Sequence, residues 1–384
     1  GTDIVVNKFT PDAVDLLMAT YIGGDADDKP HSMIVNGNNE LCVLGSSTGP
    51  GFPTSSGAYD PTHNGGSDIV IVHLSEDGST LLGGTYLGGA QEDGRQIMTN
   101  NYGDTYRGEI MLDGAENLYI ASSSLSADFP VTSGVFQGSL GGGQDAVVVG
   151  VDPTCANLLM STFLGGTSDD NGLGLRFDGT GGIYVCGGTM SANFPMAGGG
   201  WQNTYQGAPK DGYIVHITNA GATLAASTYF GTSTDDMAYF IDLDNDGDVY
   251  IYGQSDGDLA ITPAGIYGQA DGGIFIAAFD PALSAPIFIT TLGSGGFGFP
   301  LAPVAFLVDV CEHIYISGYQ PSGTWETTPD ALYEQGGSQF YLAAYDVDMA
   351  GILFGSYYGG SHVDGGTSRF DKNGIIYQGV CSGG

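Results

Sequence analysis

Leu158-Leu-Met-Ser-Thr-Phe-Leu-Gly-Gly166 has five further near-copies, ending in Thr20-Tyr-Ile-Gly-Gly24, Thr85-Tyr-Leu-Gly-Gly89, Thr228-Tyr-Phe-Gly-Thr232, Thr291-Leu-Gly-Ser-Gly295 and Ser356-Tyr-Tyr-Gly-Gly360. Measured between the Thr or Ser positions, the spacings are 65, 77, 66, 63 and 65 residues. A fixed period of this size marks a chain built from one repeated supersecondary unit. Its richness in Val, Ile, Tyr and Thr makes it a unit of strands.

Each period resolves into four short strands, A to D. In the third copy Leu173-Gly-Leu-Arg-Phe177 (A) turns through Asp178-Gly-Thr-Gly181 into Ile183-Tyr-Val-Cys186 (B). A long loop leads to Gly212-Tyr-Ile-Val-His-Ile217 (C), and a turn to Leu224-Ala-Ala-Ser-Thr-Tyr-Phe230 (D). Strand B carries the column Cys42, Tyr119, Tyr184, Tyr250, Tyr315, Tyr377, with aliphatic neighbours on both sides. Such a strand expects cover on both faces, as when one sheet stacks on the next.

Four antiparallel strands repeated in this way predict an all-β chain, a β-propeller. Residues 1–24 hold only C and D strands and residues 361–384 only A and B. Joined, they would complete a sixth blade and remove the open sheet edges. The expectation is therefore a single six-bladed, monomeric propeller domain over 1–384, with blades at 25–89, 90–166, 167–232, 233–296, 297–360, and 361–384 plus 1–24.

Composition narrows the partners. Only 8 Lys and Arg stand against 43 Asp and Glu, a formal charge of −35. That field repels phosphate backbones and anionic lipid heads, which argues against nucleic acid and against membrane insertion or docking. No apolar run approaches the roughly 18 residues of a membrane span. Asp3–Phe9 already reads as a strand instead of a signal peptide, so the expected context is a larger precursor with flanking domains. Five cysteines without metal-ligand spacing read as free thiols.

The motifs Phe163-Leu-Gly-Gly166, Asp169-Asp170, Phe177-Asp-Gly-Thr-Gly-Gly-Ile-Tyr-Val-Cys-Gly187, Phe129-Pro-Val-Thr-Ser-Gly-Val-Phe136 and Gly142-Gly-Gln-Asp-Ala146 resemble the SBBP family of bacterial β-propeller repeats. The resemblance covers essentially the whole chain. It implies a secreted or cell-surface protein, often of gliding or type IX-secreting bacteria, whose propeller is a non-catalytic adhesion or spacer module for proteins or glycans. It supplies no catalytic residues.

Four features are candidate sites. Asp242-Leu-Asp-Asn-Asp-Gly-Asp248 alternates carboxylates like the first half of a calcium loop, making Asp242, Asp244, Asp246 and Asp248 candidate ligands. Against this, the twelfth position is Gly253, and Asp244 shares the A–B turn column Asn36, Asp113, Asp178, Asp309, Asp371, where an acid suits a side-chain-to-backbone bond. Acidic doublets follow strand D at Asp27-Asp28, Glu92-Asp93, Asp169-Asp170 and Asp235-Asp236. These predict either a negative collar for a cation or basic peptide, or acceptors for backbone N–H groups. The B–C loops carry aromatics, of which Trp201 and Trp325 depart from the usual Phe or Tyr and are expected to contact ligand. Last, about 12 extra residues around Thr99–Arg107 are expected to project beside that loop-rich face, with Tyr102, Tyr106 and Arg107 as further contacts. No hydrolase or phosphate-binding motif is present. The alternative to a binding module is a calcium-dependent, phosphoesterase-like hydrolase using the acidic collar.

Overall fold

The computed structural model describes residues 1–101, 104–207, 209–293, 300–319, 322–334, 340–358, 368–370 and 376–378. Its fold is all-β: antiparallel four-stranded sheets of the propeller-blade type, each with strand order A-B-C-D. Five are complete, spanning 28–87, 109–164, 170–230, 236–292 and 302–358. The chain divides into two compact units, 1–99 with 105–177 and 218–223, and 100–104 with 178–217 and 224–384.

The alternation expected of half-buried strands is missing where the B strand column predicted cover on both faces. All seven residues of the B strands Ile183–Thr189 and Val249–Ser255 are buried. In the first unit Cys42, Leu44, Ile69 and Ile71 pack with Ile110, Ile120, Val147 and Val149. In the second, Tyr184, Cys186, Ile214 and Phe230 pack with Ile251, Phe275 and Phe279, and Tyr250 and Tyr252 with Phe306 and Ile316. Each fully buried aliphatic or aromatic side chain contributes roughly 1.5–3 kcal/mol. Cys42, Cys155 and Cys186 are buried thiols, and Cys311 is an exposed one.

The A–B turns follow the acidic column. Asp113 Oδ1 accepts from Ala115 N and Asn117 N at 2.8 and 2.9 Å, and Asp178 Oδ1 from Thr180 N and Gly182 N at 2.7 and 2.8 Å. Asp244 does the same with Asp246 N and Asp248 N at 3.0 and 2.9 Å. One carboxylate oxygen thus satisfies two turn N–H groups that no strand partner reaches.

Among the described residues the four-stranded sheets number five, against the six expected. Ile4–Phe9 pairs with Leu16–Ile22, and Ser368–Phe370 with Ile376–Gln378, as two separate two-stranded sheets among the described residues. Ile4 and Ile22 are buried beside Val43 and Val70, whereas Val5, Phe9, Leu17 and Tyr21 are exposed. The N-terminal hairpin therefore has one packed face and one open face. Asp364 and Cys381 lie outside the described residues.

Candidate functional site

In the second unit, the B–C loop of the third sheet closes onto strand D of the same sheet. Gln202 N donates to Thr228 Oγ1 at 2.9 Å, its side-chain amide donates to Gly231 O at 2.9 Å, and its side-chain carbonyl accepts from Gly231 N at 2.9 Å. Trp201, one residue earlier, is fixed by Trp201 N donating to Leu283 O at 2.9 Å and by rings 5.9 Å (Phe230) and 5.7 Å (Phe279) away. It stays half-buried, with an edge toward a cleft of about 790 Å³.

Trp201, Leu259, Pro286 and Ile289 give that cleft apolar walls, and Gln202, Thr232, Thr234, Asp256 and Asp258 give it a polar rim. Asp258 is exposed and Asp256 half-buried. No Lys, Arg or His lines it. Apolar walls with several acceptors and hydroxyls, and no cation, suit an uncharged ligand carrying many hydroxyl groups.

An equivalent cleft in the first unit shows that the repeat itself makes this shape. It is smaller, about 430 Å³, and is lined by Tyr59, Asp60, Asn64, Gly88, Gly89, Asp128 and Pro130. Tyr59 occupies the Trp201 column. Beside the smaller cleft the following copy supplies Phe129-Pro130; beside the larger one the same two positions are Ala260-Ile261.

Other expected contacts fall elsewhere. Trp325 is corrected from an exposed contact to a core residue: it is 5% exposed, its Nε1 donates to Ser322 O at 3.1 Å, and its ring lies 4.9 Å from that of Tyr341. A repeat position that lacks the usual Phe or Tyr is here a larger core filler. Tyr106 and Arg107 are half-buried in the first unit, where the Arg95 guanidinium lies 5.8 Å from the Tyr106 ring centroid. Tyr102 lies outside the described residues.

The insertion is not a free projection. In the second unit Asp104 is fully buried and its Oδ2 accepts from Asn100 N, Asn101 N and Tyr239 Oη at 2.8, 2.6 and 3.0 Å. Asn101 Nδ2 donates to Gln254 Oε1 at 2.6 Å, and Lys210 Nζ, itself buried, donates to Asn100 Oδ1 and lies 3.4 Å from Asp235.

The collar expectation is corrected in the same way. The second acid of each doublet is buried, and its Oδ2 accepts the backbone N–H of the D–A turn: Asp28 from Gly24, Asp93 from Gly89, Asp170 from Gly166 and Asp236 from Thr232, at 2.7, 2.7, 2.6 and 2.6 Å. The first acids differ: Asp27 is exposed, Glu92 pairs with Arg95 at 3.0 Å, Asp169 accepts from Gln144 N at 3.0 Å, and Asp235 meets Lys210.

In the calcium-like loop, Asp242 Oδ2 accepts from Val308 N at 2.9 Å and Asp244 Oδ1 caps the turn, so two of the four carboxylates are engaged by backbone; Asp246 is exposed and Asp248 half-buried. Among the described residues, Asp309, Cys311 and His313 bring three ligand atoms within 4.8 Å of one another, but Asp309 is already bonded to Cys311 N, His313 N and Tyr315 Oη.

Sequence reasoning missed the partners of the doublets. Asp68, Asp145 and Asp211, each at the start of a C strand, lie across a glycine from Asp93, Asp170 and Asp236. The signal was a constant offset of 25 residues in every such pair, Asp3–Asp28 included.

No protein-family model and no curated protein matches the chain. Among solved structures, similarity extends to a protein of unknown function from Bacteroides caccae (9% identity, 91% of this chain and 88% of that one, TM-score 0.41). It extends also to a Hadza microbial sialidase (10% identity, 87% and 59%, TM-score 0.39). A third is an exo-β-1,3-galactanase from Clostridium thermocellum (11% identity, 100% and 92%, TM-score 0.31).

Proposed function

We propose that this chain is a non-catalytic, extracellular binding module of a bacterial surface protein, and that it takes a glycan in the cleft beside Trp201. The supporting observation is the cleft itself: an aromatic edge and aliphatic walls for the C–H face of a sugar, and Asp256, Asp258, Thr232 and Thr234 for its hydroxyls. Its position on a loop between rigid strands lets the lining vary without cost to the core. The net charge of −35 disfavours anionic glycans, so neutral hexoses and their oligomers are the expected class.

Glycan-array binding followed by titration calorimetry tests the assignment. Loss of one well-placed hydrogen bond to a charged group costs about 1.5–3 kcal/mol, so Asp258→Ala is expected to weaken binding at least tenfold. Because Asp258 is exposed, its melting temperature should stay within about a degree of the wild type. Trp201→Ala should weaken binding similarly. Normal glycan binding by both variants would remove the site from this cleft, and selective capture of peptides with no glycan bound would replace a glycan module by a protein-binding one.

A further inference from the structure

Three buried carboxylate pairs recur at the joints between successive sheets: Asp68–Asp93 and Asp145–Asp170 in the first unit, Asp211–Asp236 in the second. All six side chains are fully buried. In each pair the C-strand aspartate uses Oδ2 to accept a backbone N–H, from Asn64, Gly141 and Gln206 at 2.7, 2.8 and 2.6 Å. Its Oδ1 is buried and meets no donor.

That oxygen and one oxygen of the partner acid lie beside the same glycine. A methyl group placed on Gly165 would lie 2.6 Å from Asp145 Oδ1 and 2.7 Å from Asp170 Oδ2; on Gly231, 2.9 Å from both Asp211 Oδ1 and Asp236 Oδ2. Gly88 stands in the same relation to Asp68 and Asp93. Two acceptor oxygens therefore crowd one glycine, an arrangement that is costly if both acids are charged.

The neighbours of Asp68, Asp93, Asp145 and Asp236 bring little neutralising charge. His63 lies near Asp68, but Asp60 does too, and Asp169 lies near Asp145. Beside Asp93 the neighbouring strand end offers only Ser124 and Ser126 hydroxyls, and beside Asp236 the Ser255 hydroxyl. Lys210 turns away to Asp235 and Asn100. Pair Asp3–Asp28 has the same geometry about Gly23, but Asp3 is exposed and water can serve it.

We infer that each buried pair binds one shared proton, an O–H of one carboxyl donating to the facing carboxylate oxygen of the other, so that the sheet joints are proton-latched. The pair keeps one negative charge and loses its repulsion. Burial pushes Asp68, Asp93, Asp145 and Asp211 up to about 6 and Asp236 up to about 7. Because these folded values are raised, their stabilisation is complete below the unfolded value of 3.8 and is lost as pH rises through about 6 to 7.

The test compares the wild type with Asp68→Asn, Asp145→Asn and Asp211→Asn, singly and combined. Asparagine keeps an oxygen for the backbone N–H and offers its amide to the facing acid, mimicking the protonated pair. The expected result is equal melting temperatures at pH 5 and a combined variant roughly 5 °C more stable than wild type at pH 8. Comparison with wild type removes the general effect of net charge. A variant less stable than wild type at pH 8 would overturn the inference. So would a saturable rise in wild-type melting temperature with millimolar calcium that the variants lack, since the pairs would then be cation sites. If the combined variant fails to fold, infrared spectra of aspartate-labelled wild type decide. A protonated carboxyl band present at pH 6 and gone at pH 8.5 supports the shared proton, and its absence at pH 6 overturns it.

Discussion

Gly165→Ala should destabilise the first unit by roughly 1–3 kcal/mol, toward the upper end of the range for overpacking a filled interior. The new methyl would meet Asp145 Oδ1 at 2.6 Å and Asp170 Oδ2 at 2.7 Å. Neither oxygen can withdraw cheaply, because each carboxylate is tied to a backbone N–H, Gly141 N at 2.8 Å and Gly166 N at 2.6 Å. The requirement for glycine here is one of space and not of φ, since Gly165 is not among the residues with positive φ. Gly231→Ala should behave alike in the second unit. Gly138→Ala, where a methyl would meet nothing within 4 Å, is the control and should leave the midpoint of chemical denaturation unchanged. Equal midpoints for Gly165→Ala and Gly138→Ala would mean that the carboxylate clasp yields freely.

The same clasp shows what the sequence made legible. The recurring Tyr-Leu-Gly-Gly, the doublet and the Gly-Gly-x-Asp run were each visible as repeats. Their period fixed four strands per unit, because strand and turn residues alternate over short distances that the chain itself records. What joined them was not visible: Asp145 and Asp170 sit in different sheets, and only folding sets them on either side of Gly165. Trp325 illustrates the opposite error. A departure from the repeat looked like exposed specificity, yet its ring fills space beside Gly293, where the fourth and fifth sheets have no acidic pair and a methyl on that glycine would lie 2.9 Å from both Pro300 Cγ and Trp325 Cζ2. Trp201 departs from the repeat in the same way and does line a cleft. Identity of the residue does not separate the two cases; its neighbours differ, Ala260-Ile261 standing where three other copies have Phe-Pro.

Asp104→Ala is expected to cost the second unit about 3 kcal/mol, because it removes a buried acceptor that three donors share. Asn100 N, Asn101 N and Tyr239 Oη all point to Asp104 Oδ2, and Asp104 and Tyr239 are 0% and 1% exposed. Water cannot replace the lost oxygen without opening that packing. The damage should spread, since Asn101 also donates to Gln254, whose Nε2 donates to Leu301 O at 2.6 Å at the entry to the fifth sheet. Tyr239→Phe deletes one of these donors, and with it the oxygen that accepts from Asn101 Nδ2 at 3.1 Å, while Asn100 N and Asn101 N stay on the acid, so a cost of about 1 kcal/mol is expected. The ratio of the two effects carries the argument. If an idle loop had been inserted, neither change would move the denaturation midpoint; if the insertion is a buried polar anchor, the acid must cost several times more than the phenol.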